Sequence, residues 1–237
     1  MSLHDSRSVK IAVTVLAIMG SLAIVIATVY VSISMLSFKR NVFALSTTWT
    51  NLENVTDPRI ISRDEWKARP PKERVLMNVT PTPYVVIHHG GIAEYCFDQK
   101  ACSAIVKSYQ NLHIDDRGWL DIGYNFVIGE DGNAYEGRGW DFVGAHAPPY
   151  NNQSIGICVI GDFSDFLPNN TALKTLNGLI DYGVFLGKIS KDYHVIGHRQ
   201  ARETLCPGEE FFKFVQTNPR WTKHPEPINV APITVWK

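Results

Sequence analysis

The sequence predicts an α/β fold, a mixed central β-sheet covered by helices, preceded by one transmembrane helix. Short apolar runs of strand length alternate along the chain with longer segments of helical spacing. One pair of runs flanks a turn sequence typical of a β-hairpin. Such alternation is typical of a sheet whose faces are covered by helices. An uncharged apolar run near the N-terminus predicts the membrane helix.

Five strands are predicted, at residues 84–89, 124–129, 134–136, 154–160 and 195–196. The second and third are joined by Glu130-Asp131-Gly132-Asn133, which favours a tight hairpin turn. Two of the remaining runs, 84–89 and 195–196, each end at or close to a histidine. Because ligand sites in open α/β sheets lie at strand ends, these histidines are candidates for a functional site.

Three helices are predicted, at residues 98–113, 171–186 and 209–216. Apolar side chains recur at helical spacing in the first of them, at Ala101, Ile105, Val106, Tyr109 and Leu112. Either Asn170 or Thr171 is expected to cap the second helix, since short polar side chains accept hydrogen bonds from the first turn.

Residues 11–38 contain no Asp, Glu, Lys, Arg or His. The run exceeds the roughly 20 residues that cross a bilayer, and it is longer than the apolar region of about 7–15 residues in a cleaved signal peptide. A retained signal anchor is therefore favoured. The predicted organisation is a cytoplasmic tail (1–10), a transmembrane signal anchor (11–38), a stalk (39–58), one globular domain (59–222) and a C-terminal tail (223–237).

The formal net charge of the chain is zero, so composition gives no indication of a nucleic-acid partner. Basic residues flank the apolar run on both sides, and charge alone therefore does not orient it in the membrane. The sequence makes no prediction of oligomeric state.

His88, His198 and Cys206 are candidate metal ligands. Two imidazoles and one thiolate suit Zn²⁺, and three protein ligands leave a coordination position open, as in catalytic zinc sites. Two alternatives remain open at this point. A histidine at a strand end is more often a hydrogen-bonded structural residue, and Cys206 could form a disulfide with Cys158.

Several sequence motifs occur together and in a fixed order. They are Ile61-Ser62-Arg63-Asp64-Glu65-Trp66, Val86-Ile87-His88-His89, Gly118-Trp119-Leu120-Asp121-Ile122-Gly123-Tyr124-Asn125-Phe126, Tyr135-Glu136-Gly137-Arg138-Gly139-Trp140, Gly144-Ala145-His146 and Gly197-His198-Arg199. This set closely resembles the peptidoglycan recognition proteins of animals, which are related to phage-type zinc N-acetylmuramoyl-L-alanine amidases. The resemblance covers about residues 60–221. Residues 145–151 and 183–187 are most similar to the insect LB type.

The resemblance implies a zinc amidase that cuts the bond between N-acetylmuramic acid and L-alanine. It places the zinc ligands at His88, His198 and Cys206, and an active-site tyrosine at Tyr124. Thr204 falls where phage enzymes carry a lysine and is a second candidate catalytic residue. With Cys206 assigned to zinc, Cys158 is expected to be a buried free cysteine.

The resemblance also implies a bacterial peptidoglycan partner, expected to be of the diaminopimelate type. Arg138 falls at a position that can pair with the additional carboxylate of diaminopimelate, although a solvated arginine in a Gly-rich turn is an equal alternative. Six further residues are candidates for lining the groove: Trp66, His113, Trp119, Trp140, His146 and Asn151. For Trp66 and Trp119 a place in the core is the favoured alternative.

An oxidising compartment is indicated by Cys96 and Cys102, which match a disulfide common in the family. Asn-x-Ser/Thr sequons at Asn54, Asn78, Asn152 and Asn169 agree with glycosylation. These features predict a type II protein of the plasma membrane with an extracellular C-terminal domain, or a secreted form if the anchor is removed. A non-catalytic membrane receptor for peptidoglycan is the alternative, but residues 1–10 are too few for a signalling domain.

Overall fold

The computed structural model of the protein describes Tyr30 and residues 58–229. Contacts divide the chain into two units, residues 1–45 and 46–237, and the sheet with its covering helices belongs to the second. Within the described ranges, no helix is both long and apolar enough to cross a membrane. The predicted anchor and stalk lie outside these ranges, apart from Tyr30 and Pro58, so both stay predictions.

A six-stranded mixed sheet forms the centre of the domain. Its strands are β1 (Ile60–Ile61), β2 (Thr82–His89), β3 (Phe126–Ile128), β4 (Ala134–Glu136), β5 (Ser154–Val159) and β6 (Ile189–Gly197). They are ordered β1-β4-β3-β5-β2-β6. Strands β3, β5, β2 and β6 run parallel, whereas β4 is antiparallel to β3. The predicted mixed sheet and hairpin are confirmed, but β1 was not predicted, because two residues carry no periodicity.

Strand β2 pairs with β5 along one edge and with β6 along the other. Six of its eight residues form a continuous buried run, as expected for a strand covered on both faces. The β2–β6 register places Ile87 opposite Gly197. Because the two strands are parallel, their carboxyl ends lie side by side at the same sheet edge.

Three α-helices pack around this sheet: α1 (Gln99–Asn111), α2 (Asn170–Phe185) and α3 (Glu209–Gln216). The bounds predicted for the third helix are confirmed. Helix α1 passes into a wider π-helical turn, Leu112–Asp116, which rotates the side chains that follow. Leu112 is therefore exposed and His113 is buried, contrary to the face predicted for this helix.

The N-cap of helix α2 lies one to two residues earlier than predicted. The side chain of Asn169 accepts a hydrogen bond from the Ala172 amide at 2.8 Å, which makes Asn169 the N-cap. Its own Nδ2 donates to the Glu130 carbonyl at 2.8 Å, across the turn of the hairpin. The prediction of Asn170 or Thr171 was wrong because this second contact comes from a distant part of the chain.

One core cluster lies between α1 and the sheet. It contains Trp66, as predicted, together with Cys158 and both half-cystines. Cys96 and Cys102 form the predicted disulfide, which ties the loop before α1 to the first turn of that helix. Cys158 is a buried free cysteine. The alternative pairing of Cys158 with Cys206 is thereby excluded.

The domain extends past its predicted end at residue 222. The Tyr84 hydroxyl donates to the Glu226 carbonyl at 2.7 Å, and the Tyr150 hydroxyl donates to the Pro225 carbonyl at 2.9 Å. The predicted C-terminal tail is thus docked on the sheet up to residue 229. No local pattern indicated this docking, because the contacts join residues more than 70 positions apart.

The four predicted glycosylation sites differ in accessibility. Asn78 is exposed, and Asn54 lies outside the described residues. Asn152 is only 8% exposed, which does not fit an attached glycan. The Asn169 side chain is engaged as the helix cap described above. Among the described sequons, Asn78 is therefore the one suited to modification, and Asn54 stays a prediction.

Candidate active site

His88 and His198 meet at the carboxyl ends of β2 and β6. His88 is the residue after Ile87, and His198 is the residue after its register partner Gly197. Their ring centroids lie 4.4 Å apart. The parallel register therefore brings together two imidazoles that are 110 positions apart in the sequence.

Cys206 reaches the two histidines from the loop before α3. Its Sγ lies 3.8 Å from His88 Nδ1 and accepts a hydrogen bond from the His89 amide at 3.4 Å. The loop is closed by the Arg199 amide, which donates to the Cys206 carbonyl at 2.9 Å. Gly208 follows with φ of 94°, a conformation that favours glycine, and Phe163 lies against its α-carbon.

These three residues form a group that could hold a metal ion. One ligand atom from each lies within 4.8 Å of the others. The Nε2 atom of His198 is buried and has no hydrogen-bond partner, a costly state that a bound cation would relieve. Two nitrogens and one sulfur are the donors that Zn²⁺ prefers. The residues present fit a zinc ion with one open coordination position.

Burial sets the protonation of these groups. It lowers the pKa of His198 to about 4 and the pKa of His88 well below its ordinary value, so both imidazoles are neutral at pH 7. Burial also raises the pKa of the Cys206 thiol to about 12, and the His89 amide opposes that shift. A cation that binds here must therefore displace the thiol proton, which makes its affinity fall at low pH.

His146 contacts His88 at Nε2, the ring nitrogen that does not face Cys206. Its Nδ1 lies 3.0 Å from His88 Nε2, so one ring donates a hydrogen bond to the other. With His88 Nδ1 facing Cys206, the His88 Nε2–H would donate to His146, an arrangement that fixes the tautomer of a metal ligand. The ring of His146 lies against Gly144 and Gly156, where any larger residue would collide with it.

A groove with a volume of about 810 Å³ opens beside the metal group. Five of the residues predicted for catalysis, metal binding or substrate contact line it: His113, Tyr124, His146, Asn151 and His198. Asn151 fixes the backbone that carries His146, since its Oδ1 accepts hydrogen bonds from the amides of His146 and Ala147, both at 2.8 Å.

Trp119 also lines the groove, so its groove assignment is confirmed over the favoured alternative of a place in the core. Its indole stacks on the His113 ring with centroids 4.7 Å apart, and the Arg117 guanidinium lies 5.0 Å from the indole centroid. The His113 ring is held in turn by the Gly123 amide, which donates to Nδ1 at 3.0 Å. The π-helical turn after α1 produces this arrangement, and no pattern in the sequence indicated it.

The groove is suited to an anionic ligand. Arg117 and Arg202 line it, and none of its described lining residues is Asp or Glu. Burial, and then the charge of Arg117, lowers the pKa of His113 to about 3, so this imidazole is neutral at pH 7. The positive charge of the groove thus comes from arginines, which remain charged at any physiological pH.

The two predicted catalytic residues occupy different places. The Tyr124 ring lies 5.3 Å from the His88 ring, and burial followed by the nearby thiols of Cys158 and Cys206 raises its pKa. Its hydroxyl therefore stays protonated and can donate a hydrogen bond. Thr204 is not among the groove-lining residues; its Oγ1 accepts from the Cys206 amide at 3.3 Å and so positions the loop.

Arg138 is not among the groove-lining residues and lines a separate small cavity with Glu73, Asp121 and Val143. Its Nε donates to the Ile122 carbonyl at 2.7 Å and its Nη1 to the Val143 carbonyl at 2.8 Å. Burial lowers its pKa to about 10, which leaves it charged at pH 7. After burial, its charge also contributes to lowering the pKa of His113 and His146. The alternative of a freely solvated arginine is thereby excluded.

Trp140 does not line the groove. Its ring lies 4.3 Å from that of Phe126, and it packs against Gly183 of α2. The prediction of a substrate contact for Trp140 was therefore wrong. A tryptophan beside a Gly-rich turn can face either side of a sheet, and the sequence could not distinguish the two.

The mixed sheet, the His-His-Cys group and the groove occur in a sequence that matches a known family. Residues 78–209, more than half of the chain, match the family model for N-acetylmuramoyl-L-alanine amidase. The chain belongs to that amidase domain family and, within it, to the peptidoglycan recognition proteins.

Individual relatives support the LB-like resemblance. Peptidoglycan-recognition protein LB of Drosophila melanogaster is 43% identical over 170 residues, covering 72% of this chain and 73% of that protein. N-acetylmuramoyl-L-alanine amidase of Homo sapiens is 38% identical over 172 residues, covering 72% of this chain and 30% of that protein.

A solved structure extends the comparison to a ligand complex. Peptidoglycan recognition protein-LE in complex with tracheal cytotoxin, a monomeric diaminopimelic acid-type peptidoglycan, superposes with a TM-score of 0.67 at 41% identity. The match covers 69% of this chain and 95% of that one.

The metal group yields a direct prediction. Cys206→Ser removes the thiolate, and we expect its zinc affinity to fall by more than about tenfold, since even outer-shell changes cost roughly 10–100-fold. Zinc content after equilibrium dialysis against a buffered zinc concentration measures this. Phe185→Ala is the control, because this exposed side chain lies at the end of α2 and contacts neither ligand histidine nor Cys206, and it should retain wild-type zinc content. Equal zinc content in the Cys206 variant and the control would remove Cys206 from the ligand set.

Proposed function

We propose that the protein is a zinc-dependent N-acetylmuramoyl-L-alanine amidase. It binds bacterial peptidoglycan and hydrolyses the bond between N-acetylmuramic acid and L-alanine of the stem peptide. The observation that carries this proposal is the convergence of His88, His198 and Cys206 at the edge of an 810 Å³ groove. By degrading peptidoglycan, the enzyme would dampen innate immune signalling.

Residues of the groove supply the rest of the chemistry. Zinc, when bound, would polarise the scissile carbonyl and lower the pKa of water to near 7. Tyr124 keeps its phenolic proton and can donate a hydrogen bond to the oxygen on which negative charge develops. Arg117 and Arg202 attract carboxylates of the stem peptide to the same groove. The neutral ring of His146 orients His88 through the hydrogen bond between His146 Nδ1 and His88 Nε2.

The alternative function is a non-catalytic membrane receptor for peptidoglycan. The groove alone would be sufficient for a receptor, since binding of peptidoglycan does not require a metal. The complete His-His-Cys group favours the enzyme, because a thiolate donor beside two unprotonated imidazoles has no role in binding an anionic peptide.

Peptide release from polymeric peptidoglycan separates the two functions. We expect the zinc-loaded protein to release free stem peptides, and a chelator to abolish release until zinc is restored. Tyr124→Phe should retain its zinc and lose roughly 10²–10³-fold in kcat, as when one oxyanion donor is removed. Zinc-loaded protein that binds peptidoglycan and releases no peptide would establish the receptor instead.

We further propose that the preferred substrate carries diaminopimelate. Arg138 is fixed by two backbone carbonyls, through Nε and Nη1, in a small cavity separate from the 810 Å³ groove, and no hydrogen bond from its Nη2 to another described residue is found. A guanidinium held in this way can pair, at low entropic cost, with a ligand carboxylate that enters this cavity. The similarity to the protein-LE complex, whose ligand is of the diaminopimelic acid type, supports this preference.

Removal of Arg138 tests the preference. Arg138→Ala should cost about 1–3 kcal/mol, as for a hydrogen bond to a charged group, or roughly 5- to 150-fold in affinity. The loss should appear with diaminopimelate-type fragments and be much smaller with lysine-type fragments, which lack the partner carboxylate. Because Arg138 also joins Ile122 and Val143, Tm is measured in parallel. Equal weakening of both fragments would assign Arg138 to the fold alone.

We also propose that the protein is a type II plasma-membrane protein, because residues 11–38 carry no charge and the domain contains a disulfide. An N-terminal tag should then be protected from protease in intact cells, while Asn54 in the predicted stalk and the exposed Asn78 acquire glycans. Asn152→Gln should leave the glycan mass unchanged, since that residue is buried. A protease-sensitive tag on an unglycosylated protein would reverse the proposed orientation.

A further inference from the structure

Cys158 belongs neither to the disulfide nor to the candidate metal group. It lies on β5, where the β2–β5 register pairs it with His88. Because paired residues of parallel strands have side chains on the same face of the sheet, the thiol and the His88 imidazole share one face. The thiol is fully buried there, in the core cluster between α1 and the sheet. A sulfur atom therefore lies in the core beside the strand that carries a candidate metal ligand.

Tyr124 packs against the same core cluster and also lines the groove. Measured between centroids, its ring lies 5.3 Å from the His88 ring, 5.6 Å from the His113 ring and 6.4 Å from the Tyr109 ring. These ring contacts fix the plane of the phenol. A tyrosine hydroxyl enclosed in this way normally has a hydrogen-bond partner, because leaving it without one is costly.

The partner of the Tyr124 hydroxyl is the Cys158 thiol. Burial is the largest cause of the raised pKa of Tyr124, and charge on Cys158 and a side-chain hydrogen bond with Cys158 raise it further. Burial also raises the pKa of Cys158, whereas the hydrogen bond with Tyr124 lowers it. A hydrogen bond raises the pKa of its donor and lowers that of its acceptor. The phenol therefore donates and the sulfur accepts.

A thiol is a suitable acceptor for a hydroxyl that must later bind substrate. Sulfur accepts hydrogen bonds only weakly, whereas a bond to an ionised oxygen is roughly twice as strong as one between neutral groups. The Tyr124 hydroxyl is therefore held in the free protein, yet it gains by donating instead to an oxygen that becomes negative. A carboxylate in place of Cys158 would compete with that oxygen.

We propose that Cys158 is a positioning residue, whose sulfur holds the Tyr124 hydroxyl beside the metal group and releases it to the substrate oxygen that gains negative charge. The phenol keeps its proton throughout, so no covalent bond forms or breaks at Tyr124 and only its hydrogen-bond acceptor changes. The catalytic consequence rests on the proposed function. The contact between the two side chains does not, so it can be tested separately.

Infrared spectroscopy of the full-length protein tests the contact without any activity. The S–H stretching band that disappears in Cys158→Ala belongs to Cys158. Tyr124→Phe removes the donor and should shift that band, because hydrogen bonding at sulfur changes the S–H stretching frequency. Tyr135→Phe is the matched control, since it removes a tyrosine hydroxyl of the same core cluster that binds Asp131 at 2.6 Å, and it should leave the band in place. An unchanged band in Tyr124→Phe would overturn the contact and the proposal with it.

Kinetics of peptide release test the consequence of the contact. Cys158→Ala should lower kcat about 2- to 12-fold, as for one net hydrogen bond, with KM and zinc content close to those of the wild type. Cys158→Ser restores an acceptor and should recover most of the loss. In a Tyr124→Phe background, Cys158→Ala should lower kcat no further, because no hydroxyl is left to position.

Val159→Ala controls for the loss of packing. Val159 follows Cys158 on β5, is equally buried and faces the opposite side of the sheet. We expect this variant to lower Tm and to retain wild-type kcat. A kcat of Cys158→Ala equal to that of the wild type would overturn the positioning role, and so would an equal loss with and without the Tyr124 hydroxyl. Wild-type protein that releases no peptide would overturn the proposed function, whereas the infrared band would still decide the contact.

Discussion

The parallel pairing of β2 with β6 is the constraint on which the site depends. The register that places Ile87 opposite Gly197 also places His88 beside His198. Because side chains alternate across a strand, a slip of one residue would send one imidazole to the opposite face of the sheet. The register is itself specified by the apolar residues of both strands, which are fully buried between the covering layers. Core packing and ligand geometry are therefore determined by the same pairing.

Burial gives the site its chemical character. The histidines around the groove have pKa values below their ordinary range, with burial as the largest cause, so they are neutral bases at pH 7. Metal ligation requires unprotonated imidazoles, and this environment provides them without a neighbouring acid. Positive charge in the groove is left to arginines. Metal binding and carboxylate binding are therefore carried by different residues. The neutral His88 and His198 suit a metal, and the charged Arg117 and Arg202 suit carboxylates.

Local patterns predicted most of the fold, because apolar runs identified β2 and β5 and a turn sequence identified the β3–β4 hairpin. The missed features depend on contacts distant in sequence: β1 exists because it pairs with β4, and Asn169 caps α2 while also binding Glu130. The site was harder to predict from the sequence, because no short motif contains all three residues of the His-His-Cys group. Only the ordered family motifs identified it. Trp119 lines the groove although the core was favoured for it, and Trp140 packs on Phe126 although a groove contact was predicted, because the sequence does not show which face an aromatic side chain takes.

The coordination shell of zinc in the loaded protein tests the central claim most directly. X-ray absorption spectroscopy at the zinc edge should show one sulfur at about 2.3 Å and two imidazole nitrogens at about 2.0 Å, with a further light atom in the open position. That result would match the His-His-Cys group formed by the strand pairing and the loop of Cys206. A shell without sulfur, or one with four protein ligands and no open position, would contradict the proposed catalytic site.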